Sequence, residues 1–211
     1  MSTFKDSLGI EKSLQPEADN FYKKNLAAVT IIRYDWNDPV GREYQNNDID
    51  CSIECYAPGI DSFWLNISEK FRQHDWGDMC IELWNDFDKK KLGWGLTGKN
   101  VDMYLYRTPE NIYEIWRNNG RFDFMMEYLS EQLNWDRIKN EFEGWNKNRK
   151  TVNIALPNGD ACNVTLVRGQ TENKYFSICV SIPWKILRDD FLLEIQKYKN
   201  DYKEYRRVAI Y

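Results

Sequence analysis

Residues 49–71 read Ile49-Asp50-Cys51-Ser52-Ile53-Glu54-Cys55-Tyr56-Ala57-Pro58-Gly59-Ile60-Asp61-Ser62-Phe63-Trp64-Leu65-Asn66-Ile67-Ser68-Glu69-Lys70-Phe71. The first part alternates Ile49, Cys51, Ile53 and Cys55 with Asp50, Ser52 and Glu54, the period of a strand with one buried face. Pro58-Gly59-Ile60-Asp61 then turns the chain and Phe63 to Phe71 returns, so the spacing predicts an antiparallel hairpin. With the turn centred near Gly59 and Ile60, position 50 falls opposite about position 69. That register sets Asp50 level with Ser68, Glu69 and Lys70 on the adjacent strand.

Upstream, residues 4–14 read as helical or irregular. Pro16-Glu17 suits a helix start, with proline pre-set for the first turn and an acid at the positive end of the dipole. Ala18, Phe21, Tyr22 and Leu26 continue at helical spacing. Ala28 to Tyr34 is short and β-branched, a strand that Asn37-Asp38-Pro39-Val40-Gly41 breaks. Downstream, Met79 to Trp84 and Val101 to Tyr106 read as further strands. Thr108-Pro109-Glu110 opens a helical pattern through Ile112, Ile115 and Trp116, and residues 121–143 form a second helical region. Asn146 to Lys150 is a polar, basic link. A second hairpin, Val152 to Leu156 and Cys162 to Val167, turns at Asn158-Gly159. Lys174 to Ile182 adds a strand, and Leu187 to Tyr205 reads as a helix. The fold class is α+β: a mixed central β-sheet flanked by helices, with a C-terminal hairpin, strand and helix. One domain is expected over residues 1–211, with a core over 15–120 and a helical and hairpin extension over 121–211.

The 211 residues carry 29 basic and 33 acidic side chains for a net charge of −4, so any nucleic-acid binding must use a local patch. Hydrophobic residues at 42% and charged residues at 29% are ordinary for a globular chain. No apolar run is long enough to span a bilayer and no apolar leader follows Met1, so a cytoplasmic protein without a membrane partner is expected. Five cysteines are an odd number without Cys-x-x-Cys spacing, and the single His74 completes neither an ordinary zinc site nor a convincing nucleophile triad. Cys51 and Cys55 share strand parity with Ile53 and read as reduced core residues. Trp76, Trp84 and Trp94, the Gly93–Lys99 turn and the Lys89–Lys91 run read as core, connection and solvated face respectively.

Ile67-Ser68-Glu69-Lys70-Phe71-Arg72, preceded by Asp50 and followed by Gly77-Asp78-Met79-Cys80-Ile81-Glu82, resembles the motifs of the PD-(D/E)XK nucleases, the restriction-endonuclease-like superfamily, over roughly residues 15–106. The resemblance implies a restriction-endonuclease-like core, Mg2+ as cofactor and DNA as substrate. Asp50 matches the family's first metal-binding aspartate. Lys70 matches the lysine that polarises the attacking water or the phosphate. The family carries an acid two positions before that lysine, a spacing that lets both side chains enter one cleft; here the position is Ser68. Glu69 could supply the missing carboxylate if a bulge re-aims it, and Glu82 could supply it from the next strand across the sheet. Glu17 stands where the family often carries a helical glutamate. The resemblance thus makes Asp50, Glu69 and Lys70 the catalytic candidates, and Asp50, Glu69, Glu82 and Glu17 the candidate metal ligands. Ser68 and Arg72 share parity with Lys70 and are the candidate nucleic-acid contacts, arginine being able to grip phosphate bidentately.

The favoured reading is a Mg2+-dependent DNA endonuclease that hydrolyses phosphodiester bonds, for which a homodimer would suit cleavage of both strands. The alternative is a catalytically inactive nuclease-like protein that binds nucleic acid or a partner protein in phage–host conflict. Ser68 at the acidic position and the negative net charge favour that second reading.

Overall fold

The computed structural model describes residues 4–86, 89–117, 119–133, 149–170, 176–200 and 207–208. In chain order the elements are α1 (Phe4–Asn25), β1 (Ala28–Arg33), α2 (Pro39–Asn46), β2 (Cys51–Ala57), β3 (Ile60–Phe71), β4 (Asp78–Asp86), β5 (Lys91–Leu92), α3 (Trp94–Thr97), β6 (Met103–Arg107) and β7 (Asn111–Trp116). They continue with α4 (Arg121–Gln132), β8 (Arg149–Ala155), β9 (Ala161–Gln170), β10 (Phe176–Pro183), α5 (Trp184–Asp189), β11 (Ile195–Lys199) and β12 (Arg207–Val208). The architecture is α+β with a mixed sheet flanked by helices. The described residues form two compact units, one drawn from Met1–Asp75, Gly98–Asn118 and Ile195–Ala209, the other from Trp76–Thr97 and Asn119–Glu194. One boundary falls at residues 118/119, close to residue 120, but the units are not two consecutive stretches, because the sheet begun by residues 28–71 recruits its later strands from two distant segments.

In the first unit the strand order is β1-β2-β3-β6-β7-β11-β12, with β3 and β6 parallel and the other pairs antiparallel. The hairpin forms where the alternation placed it, turning at Gly59 with φ +82°, a conformation glycine adopts without penalty. Its register pairs Cys51 with Ile67 and Ile53 with Leu65. The Asp50 amide donates to the Ile67 carbonyl at 2.9 Å, so Asp50 lies across from Ser68, one position from the expected level. Helix α1 lays Ala18, Phe21 and Tyr22 on Cys51, Ile53, Ile67, Met103, Leu105 and Ile112. Each large side chain so buried contributes about 1.5–3 kcal/mol. Tyr198 of β11 closes this core edge-on against Phe21, ring centroids 5.1 Å apart.

The second unit has the antiparallel order β5-β4-β10-β9-β8. Its β8–β9 turn carries Gly159 at φ +91°, as the Asn-Gly signal implied. Helix α4 buries Phe122, Met125, Met126 and Leu129, and Trp84 is buried in the same unit.

Four local expectations are corrected. Helix α1 runs through Pro16. Proline removes one ladder bond, and in that turn Arg107 Nη1 donates to the Leu14 carbonyl at 2.7 Å and Arg33 Nη2 to the Gln15 carbonyl at 3.2 Å. The break at 37–41 is the start of α2: Asp38 caps it, accepting from the Gly41 amide at 2.7 Å, with Pro39 in the first turn. Residues 111–116 are strand β7, not helix, because they pair with both β6 and β11. Of the helix expected over 187–205, only residues 187–189 are helical, β11 follows at Ile195–Lys199, and residues 201–205 lie outside the described residues. Of the helical region 121–143 and the link 146–150, residues 134–148 lie outside the described residues, and Arg149-Lys150 opens β8.

Candidate active site

Strand parity sorts the functional side chains of β3 onto two faces. Glu69 belongs to the α1 face with Ile67. Its Oε1 accepts from Tyr22 Oη at 2.7 Å and from Arg33 Nη2 at 3.1 Å, and its Oε2 accepts from Arg33 Nη1 at 3.2 Å. Arg33 also donates to Asp19 Oδ1 through Nη2 at 2.6 Å. Burial works against the Arg33 charge, yet Glu69 and Asp19 outweigh it and raise the pKa above the ordinary guanidinium value. No register shift interrupts the β3–β6 pairing from Ile67 to Phe71, so no bulge re-aims Glu69. It is a partner of Arg33 rather than a member of the Lys70 cluster.

Ser68 and Lys70 occupy the opposite face, and two aspartates meet them there. Ser68 is fully buried. Its hydroxyl donates to Asp48 Oδ2 at 2.9 Å and lies 3.5 Å from Asp50 Oδ2. Lys70 Nζ donates to Asp48 Oδ1 at 2.7 Å, in a pair with side chains only 18% and 17% exposed. Asp50 Oδ2 also accepts the Glu69 backbone amide at 2.7 Å. Asp48 owes its position to the turn after α2, where it adopts a left-handed backbone, φ 62°, which aspartate tolerates better than most residues.

Tyr104 of β6 pairs with Ser68 across the parallel strands, and its hydroxyl accepts from Arg117 Nη1 at 2.7 Å. Arg117 Nη1 also donates to the Gly98 carbonyl. Gly98 is required there: a Cβ would sit 2.8 Å from Tyr104 Oη and 3.2 Å from Arg117 Nη1.

The electrostatics follow from burial and charge. Burial pushes Asp50 up, Lys70 partly opposes this, and the Asp48 and Glu69 carboxylates add to it, carrying its pKa from 3.8 to about 7. Burial alone would lower Lys70, but Asp48 and Asp50 outweigh it and hold the ammonium above its ordinary value. Tyr104 is raised by burial against the opposing charge of Arg117. The result is a neutral-to-anionic carboxyl beside a fixed ion pair, joined through one hydroxyl.

Among the sequence candidates, Asp50, Ser68 and Lys70 come together. Arg72 follows β3 with its Nη1 3.5 Å from Tyr106 Oη. Glu17 lies on α1, buried, with Oε2 3.9 Å from Arg107 Nη1. Glu82 lies on β4, paired with Cys179 in the second unit's sheet, so it is not a cross-strand neighbour of Lys70. The residue that sequence reasoning missed is Asp48. Its signal was present in Asn47-Asp48, two residues that favour turns, directly before the strand. Arg117 and Tyr104 carried no local signal.

Among the described residues no three His, Cys, Asp or Glu side chains gather in a metal-binding group. A hard cation here would therefore draw on Asp48 and Asp50 and complete its shell with water and phosphate oxygens, a donor set that suits Mg2+. Among the described residues no helix is long and apolar enough to cross a membrane. Comparison of the chain with family models, with curated proteins and with solved structures returned no match.

Proposed function

We propose that the Asp48–Asp50–Ser68–Lys70 cluster is the phosphodiester-cleaving centre of a Mg2+-dependent DNA endonuclease of the restriction-endonuclease-like kind. The observation that carries this reading is the convergence of two carboxylates and an ammonium on one buried hydroxyl. On this reading Asp48 would stand in for the acid missing at Ser68, entering from the turn before β2 instead of from β3. Asp48 and Asp50 would hold the ion, which when bound supplies Lewis-acid charge at the phosphate and the attacking water. The charge on an isolated buried carboxylate is costly, and a divalent cation offsets that cost at Asp50. Lys70, kept cationic by its carboxylates, is no proton acceptor at neutral pH. It presents positive charge to a phosphate oxygen, where such charge is most effective in a partly dry site. Arg72, beyond the end of β3, extends the cationic edge toward the backbone of the strand.

The test is cleavage of plasmid and single-stranded DNA with Mg2+ or Mn2+. Wild type should cut, and Asp48→Asn, Asp50→Asn and Lys70→Met should each lose at least about 100-fold, with folding checked by circular dichroism. Cleavage that survives these substitutions unchanged refutes the assignment. The second reading, a nuclease-like protein that binds without cutting, draws on the close Lys70–Asp48 pair; DNA binding without Mg2+-dependent cleavage by wild type would select it.

A further inference from the structure

A groove of about 680 Å³ opens beside the cluster within the first unit. One wall is α2, which contributes Val40, Glu43 and Tyr44; the facing wall is the loop carrying Lys99, Asn100 and Asp102; Asn66 of β3 lies between them. Asn66 shares strand parity with Ser68 and lies two residues away, about 6.6 Å along the strand.

The groove is built before any ligand arrives. Asn66 Oδ1 accepts from Ser52 Oγ at 2.7 Å, its Nδ2 donates to the Asn100 carbonyl at 3.2 Å, and its amide donates to Asp102 Oδ2 at 2.7 Å. The Tyr44 ring is stacked on Tyr34 at 3.9 Å with 5° between planes, and the Tyr34 hydroxyl is 2.9 Å from Ser52 Oγ. The aromatic wall and the amide floor therefore share one hydrogen-bonded frame.

The lining selects a ligand class. Two carboxylates, Glu43 and Asp102, outnumber the single ammonium of Lys99 among the lining residues, so a phosphate is disfavoured there. A purely apolar ligand would take water from the Glu43 and Asp102 carboxylates without replacing it. A planar heterocycle with polar edges satisfies both walls, because aromatic side chains stack on bases and amide side chains bond their edges. Carboxylates accept from exocyclic amino groups, so adenine, cytosine or guanine suits the groove better than thymine.

We propose that this groove is a nucleobase pocket, which takes an unpaired, amino-bearing base of the nucleotide next to the phosphate at Lys70. The inference rests on the endonuclease reading for the position of that phosphate. An unpaired base is required because a paired one has its Watson–Crick edge occupied, so the substrate is single-stranded, flapped or bulged DNA.

The experiment is fluorescence anisotropy in EDTA, where no metal-dependent cleavage runs, with labelled dA, dC and dT 12-mers and a mixed-sequence duplex. Wild type should prefer dA or dC over dT by about tenfold and single strands over the duplex. Asn100→Ala and Glu43→Ala, both at exposed positions of the groove, should reduce that preference to within about twofold, while Lys70→Met weakens all oligonucleotides alike. Equal binding of dA, dC and dT, a preference unchanged in the groove variants, tighter binding of duplex, or no binding at all overturns the inference. Cleavage is scored separately: a base preference that depends on the groove in a protein that never cuts DNA sustains the pocket and removes the endonuclease. Mg2+-dependent cutting without a groove-dependent preference does the reverse.

Discussion

Replacing Asp50 by asparagine should stabilise the protein at pH 8 and leave it nearly unchanged near pH 4. Asparagine keeps the shape of the side chain and an oxygen to accept the Glu69 amide, but it never ionises. In the native protein, burial and then the neighbouring carboxylates, opposed in part by Lys70, move the Asp50 pKa from 3.8 to about 7. Between those two values the folded protein holds a proton that the unfolded chain has released. Stability therefore falls as the pH rises through that window, and the loss is complete above about pH 7. About three pH units correspond to a ceiling of about 4 kcal/mol, and rearrangement of the cluster reduces the measurable effect to about 2 kcal/mol. Urea unfolding of wild type and Asp50→Asn at pH 4, 6 and 8 reads this directly, as a difference that grows with pH. Mg2+ supplies a second arm. At about 100 times its dissociation constant it should stabilise wild type at pH 8 by about 2.7 kcal/mol, and Asp50→Asn should lose most of that gain. A variant that is less stable than wild type at pH 8, or a difference that does not change with pH, refutes the argument.

Lys70→Met should cost about 2 kcal/mol by removing the cation that faces the largely buried Asp48, and a double-mutant cycle with Asp48→Asn should recover at least half of it; strictly additive losses in chemical denaturation would show that the pair is not coupled. Glu69→Gln should lower stability by about 1–2 kcal/mol through the Arg33 contacts and leave Mg2+-dependent cleavage within about twofold; a much larger loss of cleavage would place Glu69 in the centre after all. Gly98→Ala should lower the melting temperature by several degrees, because a Cβ meets Tyr104 Oη at 2.8 Å, an overpacking cost of about 1–3 kcal/mol. An unchanged melting curve would mean that the Tyr104–Arg117 pair yields freely.

The hairpin was legible because its first strand alternates apolar with polar side chains, even though the polar face also buries Ser52 and, on the return strand, Ser68. Alternation at 49–56 places Asp50 and Ser52 opposite Cys51 and Ile53, and parity on the return strand separates Glu69 from Ser68 and Lys70. β7 was not legible for the converse reason. Residues 111–115 are buried on both faces, so the period of two vanishes, and Ile112, Ile115 and Trp116 happen to fall at helical spacing. β11 was misread in a similar way, since its polar run Gln196-Lys197 sits in a strand only through pairing with β7. Asp48 escaped because it lies in a turn, outside any alternation. Tyr104 reaches the cluster through the parallel β3–β6 pairing, from 34 residues beyond Lys70, and Arg117 follows it one strand later. No local pattern reports a partner at that separation.

The place of β11 in the first sheet bears on how the molecule comes into being. Tyr198 seals helix α1, made far earlier during synthesis, by way of Phe21. Strands from three separated stretches must be translated before the edge of β7 is covered. A shortened chain ending near residue 120 would keep every acid and base of the Lys70 centre. It would nevertheless leave Phe21 without its lid and β7 with an open, apolar margin, the kind of edge that recruits other chains into aggregates.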